Sequence, residues 1–223
     1  MTVLAALIPV GIIGLVVWVV LILTRRGQPF TLATAAALYA AWMTIAGATM
    51  TLVGIALGIK LLFAQVNQAW AYYIPQAVNN CPPGAPPDKC ATFTPGPASD
   101  VAGQIRSDLV LAIVLLVVGL AVLGFHYALL RALRSRPGGD NPIVSMGTLV
   151  AFTVLYGLAG LVSLAAGLYS VLNYALALSG SSPGPFADSL GAAIAFTPAW
   201  TFAALRLVRA TRRPAPDPAP AAA

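Results

Sequence analysis

Five long apolar stretches, separated by more polar segments, constrain what this chain can fold into. Apolar residues make up 59% of the chain and charged residues only 8%, whereas about 25% of the residues in a typical soluble domain are charged. The apolar stretches cover residues 3–24, 32–64, 108–130, 142–178 and 186–208. Each reaches the roughly 20 residues that an α-helix needs to cross about 30 Å of hydrocarbon. The sequence therefore predicts an all-α integral membrane protein, a bundle of five transmembrane helices.

Arginines follow alternate apolar stretches and predict the orientation of the chain. Nine of the twelve cations follow the first, third or fifth stretch: Arg25, Arg26, Arg131, Arg134, Arg136, Arg206, Arg209, Arg212 and Arg213. Short loops rich in Lys and Arg stay in the cytoplasm during insertion. We therefore expect a multi-pass protein of the inner (plasma) membrane, with its amino terminus outside and its carboxyl terminus in the cytoplasm.

The chain is predicted to have one folded domain. Residues 1–210 form a single transmembrane domain whose outer loop covers residues 65–107, and residues 211–223 form a Pro/Ala-rich, disordered cytoplasmic tail. The first apolar stretch is expected to be retained, because its arginines follow it, whereas a cleaved signal carries its cations before the apolar run. The net charge of +6 favours contact with anionic lipid over nucleic acid, because the arginines flank membrane spans.

The few charged residues near the outer ends of the stretches are predicted to mark the membrane interface. Lys60 is expected to extend its ammonium along its own stem to the headgroup region. Asp108 and Asp188 each stand at the expected outer start of a helix, where a carboxylate caps free amides and complements the helix dipole.

Cys81 and Cys90 are the only cysteines, and both lie in the outer loop. In an oxidising compartment such a pair predicts one structural disulfide, which would stabilise the loop by about 2–3 kcal/mol. The alternative is a redox pair, although thiol oxidoreductases normally separate their cysteines by two residues.

His126 is the only histidine. One hypothesis is that its imidazole ligates the magnesium of a chlorophyll-type pigment; the alternative is an interfacial histidine that hydrogen-bonds a carbonyl or a headgroup. A haem with two histidine ligands is excluded within one chain. The sequence requires no cofactor. The two candidate cofactors are a chlorophyll-type pigment and a bound lipid.

Glycines recur along the second and fourth stretches and predict helix-packing faces. They are Gly47, Gly54, Gly58, Gly157, Gly160 and Gly167. Small residues let helix backbones approach closely in lipid, but the sequence leaves open whether the partner helix belongs to this chain or to another subunit. Pro198, inside the fifth stretch, predicts a kink that serves either as a static bend or as a gating hinge.

A repeated pattern suggests that two helical hairpins follow the first helix. Gly47 and Gly54 have the same spacing as Gly160 and Gly167, and Leu130, Arg131 and Arg134 match Leu205, Arg206 and Arg209. Together the repeats predict one helix plus two parallel hairpins.

Tyr39 early in a long helix, and Phe125-His126-Tyr127 followed by Arg131, extend this hairpin pattern over residues 32–210. The pattern resembles an uncharacterised family of bacterial multi-span membrane domains with paired helical hairpins. Trp200-Thr201-Phe202 departs from it by lacking the histidine. The resemblance implies a bacterial membrane protein and carries no assigned activity.

The chain contains no motif of a phosphate-binding loop, a zinc protease or a serine hydrolase. We therefore expect no enzyme but a non-catalytic accessory or structural subunit of a larger bacterial membrane complex, with electron transfer or photosynthesis as candidate processes. Its expected partners are the lipid bilayer and other membrane subunits, and not nucleic acid. The alternatives are a small-solute transporter or channel, and a pigment-binding protein that uses His126.

Overall fold

The computed structural model describes residues 32–72, 79–80, 91–92, 101–135, 142–176 and 186–212. In chain order its elements are α1 (Leu32–Val66), α2 (Gln68–Ala71), β1 (Asn79–Asn80), β2 (Ala91–Thr92), α3 (Val101–Arg134), α4 (Pro142–Leu176) and α5 (Ala187–Thr211). The two short strands pair antiparallel, Asn79 with Thr92 and Asn80 with Ala91.

Four of the helices, α1, α3, α4 and α5, are long and apolar enough to cross a membrane. They coincide with the second to fifth predicted spans, so the all-helical membrane fold is confirmed. The first predicted span, residues 3–24, lies outside the described residues, and the structure thus describes four of the five helices that the sequence predicts.

Helix α3 begins earlier than predicted. It starts at Val101, inside the expected outer loop, and its 34 residues make it nearly as long as the 35-residue α1. Val101 and Ile105 pack against the buried cluster of Ala64, Ala71, Tyr72 and Ala187, and their spacing places both on one helix face. The prediction of a short third helix is therefore wrong, because apolar packing extends it through a polar stretch.

The chain divides into two compact units, and the division falls inside each of the four long helices. Unit 1 contains the described residues 32–45, 123–135, 142–160 and 196–212, and unit 2 contains the remaining described residues. The core of unit 1 consists of Ala37, Ala40 and Ala41 on α1, packed with Leu130 and Val144. The small alanines allow helices to approach closely there.

The core of unit 2 joins α1, α2 and α5. Ala64, Ala71, Tyr72 and Ala187 form its buried cluster. The amide of Phe186, directly before α5, donates a hydrogen bond of 3.0 Å to the carbonyl of Trp70. This bond and the 5.7 Å separation of the two ring centroids fix the start of α5 against α2.

Helices α1 and α3 run antiparallel through unit 2 along a line of glycines. A Cβ atom at Gly54 would lie 2.9 Å from Cγ of Leu116 and 3.1 Å from the carbonyl oxygen of Ala112. A Cβ atom at Gly119 would lie 2.7 Å from the amide of Thr51 and 3.0 Å from the carbonyl of Gly47. Side chains at Gly54 and Gly119 would therefore separate the two helices.

Helices α4 and α5 pack in the same antiparallel manner within unit 1. A Cβ atom at Gly157 would lie 2.7 Å from the indole nitrogen of Trp200, and one at Gly160 would lie 3.3 Å from the amide of Thr197. In unit 2 the same helices approach again, where Gly167 faces Leu190. These glycines contact helices of the same chain, whereas a Cβ atom at Gly58 would meet no atom of the described residues within 4 Å.

Candidate functional site: the Lys60 cluster

Four polar side chains of unit 2 form a connected group, which we call the Lys60 cluster: Lys60, Tyr72, Asp108 and Asp188. The ammonium nitrogen of Lys60 lies 3.0 Å from Oδ2 of Asp108 and 3.1 Å from Oδ1 of Asp188. One cation on α1 therefore binds carboxylates on both α3 and α5.

The antiparallel packing brings these residues together. Lys60 lies near the end of α1, Asp108 lies two turns inside α3, and Asp188 lies in the first turn of α5. Because α1 runs opposite to α3, the end of one helix meets the beginning of the other. Close approach of α1 to α5 is allowed by Gly191, where a Cβ atom would lie 2.7 Å from the carbonyl oxygen of Ala56.

Tyr72 completes the cluster from the segment after α2. Its hydroxyl donates a hydrogen bond of 2.9 Å to Oδ2 of Asp108, and its ring centroid lies 4.5 Å from the Lys60 ammonium, within the range of a cation–π interaction. Burial, together with the hydrogen bond to the Asp108 carboxylate, raises the pKa of Tyr72 above its ordinary value. The phenol therefore remains a hydrogen-bond donor at physiological pH.

The cluster is buried at one end and open at the other. The side chains of Lys60 and Asp108 are 12% and 22% exposed, whereas that of Asp188 is 60% exposed. With both carboxylates ionised, the formal charge is one positive against two negative, a net of −1. The Lys60–Asp108 pair is therefore the less exposed part of the cluster, and Asp188 brings a negative charge to the protein surface.

Two sequence predictions about these residues are wrong. Lys60 does not extend freely to the headgroups, because two carboxylates lie within hydrogen-bonding distance of its ammonium. Asp108 does not cap a helix, because α3 begins at Val101. Asp188 does lie in the first turn of α5, but its carboxylate also forms an ion pair with Lys60. A lysine and two aspartates at the same predicted membrane level were the signal that could have revealed the pairing.

His126 lies in unit 1 and is only 7% exposed. Its ring packs edge-on against Tyr39 at 5.5 Å and against Phe125 at 5.0 Å between centroids. The structure thus brings together Tyr39 and His126, two residues of the hairpin pattern. The ligation of a pigment by this imidazole stays a prediction.

Pro198 lies inside the continuous helix α5. The hydroxyl of Thr201 donates to the carbonyl of Thr197 at 2.9 Å, and not to the carbonyl of Ile194 that the proline leaves without an amide partner. The Thr197 hydroxyl is buried and has no hydrogen-bond partner within the described ranges. A hinge role for Pro198 stays a prediction.

The remaining predicted residues divide between exposed and undescribed positions. Arg131, Arg134, Arg206, Arg209 and Arg212 are exposed at the carboxyl ends of α3 and α5. Arg25, Arg26, Cys81, Cys90, Arg136 and Arg213 lie outside the described residues. Within the described ranges, no group of three or more His, Cys, Asp or Glu side chains could hold a metal ion.

The four long apolar helices define a polytopic, all-helical membrane protein. No protein-family model matches the chain, and neither a curated protein nor a solved structure shows significant similarity to it. The resemblance to the bacterial hairpin domains therefore stays a hypothesis.

Proposed function

We propose that the chain is a non-catalytic structural subunit of a larger complex in a bacterial plasma membrane. In this proposal residues 3–24 supply a fifth spanning helix, the amino terminus is outside and the carboxyl terminus is cytoplasmic. The observation that carries the proposal is the Lys60 cluster, which uses its charged groups to tie helices of one chain together.

The cluster supports a structural role because its charged groups bind each other. Charged residues inside membrane spans usually mark ion or substrate pathways. Here Lys60 binds two carboxylates, and Asp108 also accepts the hydrogen bond of Tyr72. Asp108 is thus held by both Lys60 and Tyr72, and it is suited to fixing the position of α3 relative to α1.

The outer surface of α3 supports the assembly role. Only 17% of its most apolar window is buried within the chain, and Val110, Val114 and Val117 are exposed. In unit 2 this helix approaches its neighbour α1 closely at Ala112, Leu116 and Gly119. Its remaining apolar surface is available to lipid or to the helices of a partner subunit.

Purification from native membranes in a mild detergent, followed by mass determination, tests the proposal. We expect the chain to elute with partner proteins. Val117→Trp, on the exposed face of α3, should weaken this association, whereas Val162→Trp, at a similarly exposed position on α4, should leave it intact. A stable, solitary wild-type monomer would contradict the proposed role.

A second candidate function is the transport of a small cation, and the net charge of the Lys60 cluster favours it. Asp188 is accessible from the surface and connects through Lys60 to the partly buried Asp108. Flux measurements in reconstituted vesicles separate the two functions. A transporter would conduct, and Asp108→Asn would abolish the flux; a structural subunit would give no flux in either protein.

A further inference from the structure

Charge is distributed unequally between the two units. The described residues of unit 2 carry Lys60 and Arg106 against Asp108 and Asp188, so their formal charge is zero. Those of unit 1 carry Arg131, Arg134, Arg206, Arg209 and Arg212, and they include no acidic residue. The five positive charges in the described part of unit 1 therefore have no carboxylate within that part to balance them.

Four of these arginines occur in two matching patterns. On α3, Tyr127 is followed by Arg131 and Arg134; on α5, Phe202 is followed by Arg206 and Arg209. In both helices the arginines stand four and seven positions after the aromatic residue, a spacing that places all three side chains on one helix face. All six side chains are exposed. We call these two faces the arginine stripes.

Each arginine stripe has the polarity of a phospholipid. Its aromatic residue lies about one helical turn nearer to the apolar middle of the span than its first arginine. Aromatic rings favour the boundary between headgroups and acyl chains, and cations favour the phosphate level outside it. On α5 the guanidinium of Arg206 lies 4.8 Å from the centroid of the Phe202 ring, so ring and cation already form one surface.

The spacing of the two arginines in each stripe suits one phosphate group. Side chains three positions apart on a helix have Cβ atoms about 5–6 Å apart, and guanidinium groups donate paired hydrogen bonds to phosphate oxygens. We propose that each arginine stripe binds one anionic phospholipid. Its phosphate lies between the two guanidinium groups, and its glycerol and acyl chains lie along the aromatic ring. The chain then holds two lipids in equivalent positions on α3 and α5.

Native mass spectrometry of the full chain in mild detergent tests this proposal. Phosphatidylglycerol and phosphatidylcholine with identical acyl chains are titrated separately. We expect two retained molecules of phosphatidylglycerol and no comparable retention of phosphatidylcholine. The double variants Arg131→Gln/Arg134→Gln and Arg206→Gln/Arg209→Gln should each lose one molecule. Because each double variant removes two cations from the anionic surface, the affinity of an altered stripe should fall roughly 30-fold, which corresponds to about 2 kcal/mol.

Arg106→Gln provides the matched control. Arg106 is an exposed arginine of unit 2 outside both stripes, so its removal should leave two molecules bound. Circular dichroism checks that each variant is folded. In the wild type, added sodium chloride should release phosphatidylglycerol, because ionic screening weakens exposed charge interactions.

Three results would overturn the proposal. The first is equal retention of phosphatidylglycerol and phosphatidylcholine by the wild type. The second is that Arg106→Gln loses as much bound phosphatidylglycerol as the stripe variants do. The third is that sodium chloride does not change the retention of phosphatidylglycerol by the wild type. Binding of glycerol 3-phosphate as tight as that of the lipid would also contradict it, because a lipid site requires the acyl chains.

Discussion

Replacing Lys60 with Met removes the cation of the Lys60 cluster while keeping a flexible side chain of similar length. Asp108 and Asp188 would then face each other without the ammonium that lies 3.0 and 3.1 Å from their oxygens. Removing one partner of a buried ion pair destabilises a protein by about 3–5 kcal/mol, whereas an exposed pair contributes about 1 kcal/mol or less.

The exposure of each side chain decides which value applies. Lys60 and Asp108 are mostly covered by protein, so their pair belongs near the lower end of the buried range, at about 3 kcal/mol. Asp188 is 60% exposed, and Asp188→Asn should therefore cost less than about 1 kcal/mol. For a chain of this size about 1 kcal/mol corresponds to roughly 2–4 °C, so Lys60→Met should lower the Tm by roughly 6–12 °C.

Thermal unfolding in detergent, followed by circular dichroism, measures these shifts. The double variant Lys60→Met/Asp108→Asn should recover most of the lost stability, because it removes the buried carboxylate together with its cation and leaves Tyr72 an amide oxygen as acceptor. Arg106→Met, which removes an exposed cation from α3, should change the Tm little. Two results would refute the reasoning. One is an equal decrease in Tm for Lys60→Met and Arg106→Met. The other is a double variant whose Tm falls by the sum of the decreases in its two single variants.

Three further predictions concern other parts of the chain. Tyr72→Phe should cost about 1.5–3 kcal/mol, since it removes a hydrogen bond to a carboxylate. Folding raises the pKa of Tyr72 above 10.0, so the stability that the protonated phenol contributes is intact below about pH 10 and is lost as the pH rises above it. The Tm of the wild type should therefore fall more steeply with alkaline pH than the Tm of Tyr72→Phe. Gly54→Ala should lower the Tm, because its Cβ would lie 2.9 Å from a neighbouring side chain, and overpacking costs about 1–3 kcal/mol. The control Gly58→Ala should be neutral or stabilising by up to about 1 kcal/mol. The same Tm for both variants would contradict the described packing of α1 and α3. Non-reducing peptide mapping should find Cys81 bonded to Cys90, and reduction should cost about 2–3 kcal/mol; two free thiols in protein kept oxidised would refute the bond.

The predicted disulfide joins two cysteines that lie outside the described residues, between the two short strands. Asn80, directly before Cys81, pairs with Ala91, directly after Cys90.

The membrane helices could be predicted from the sequence because hydrocarbon imposes a simple requirement on composition and length. The starts of α1 and α4 agree with the predicted ones, since polar residues precede the apolar runs there. The start of α3 was missed because Gln104, Arg106 and Ser107 interrupt the apolar pattern. Helical packing of Val101 and Ile105 against unit 2 outweighs this local polarity.

The Lys60 cluster could not be predicted in the same way, because it depends on the relative register of three helices. The sequence shows a lysine and two aspartates, and each is compatible with an interfacial position alone. Their pairing requires the close approach that Gly54 and Gly191 permit. The sequence shows the spacing of the glycines. It does not show which helix each glycine contacts.

The order of residues in the Lys60 cluster has a consequence for biosynthesis. Lys60 leaves the ribosome before either of its carboxylate partners, and Asp188 follows only at the beginning of the last helix. An unpaired ammonium in the hydrocarbon is unfavourable by a few kcal/mol. We therefore expect the nascent α1 to remain shallow, with Lys60 hydrated, until α3 arrives from the translocon to neutralise it.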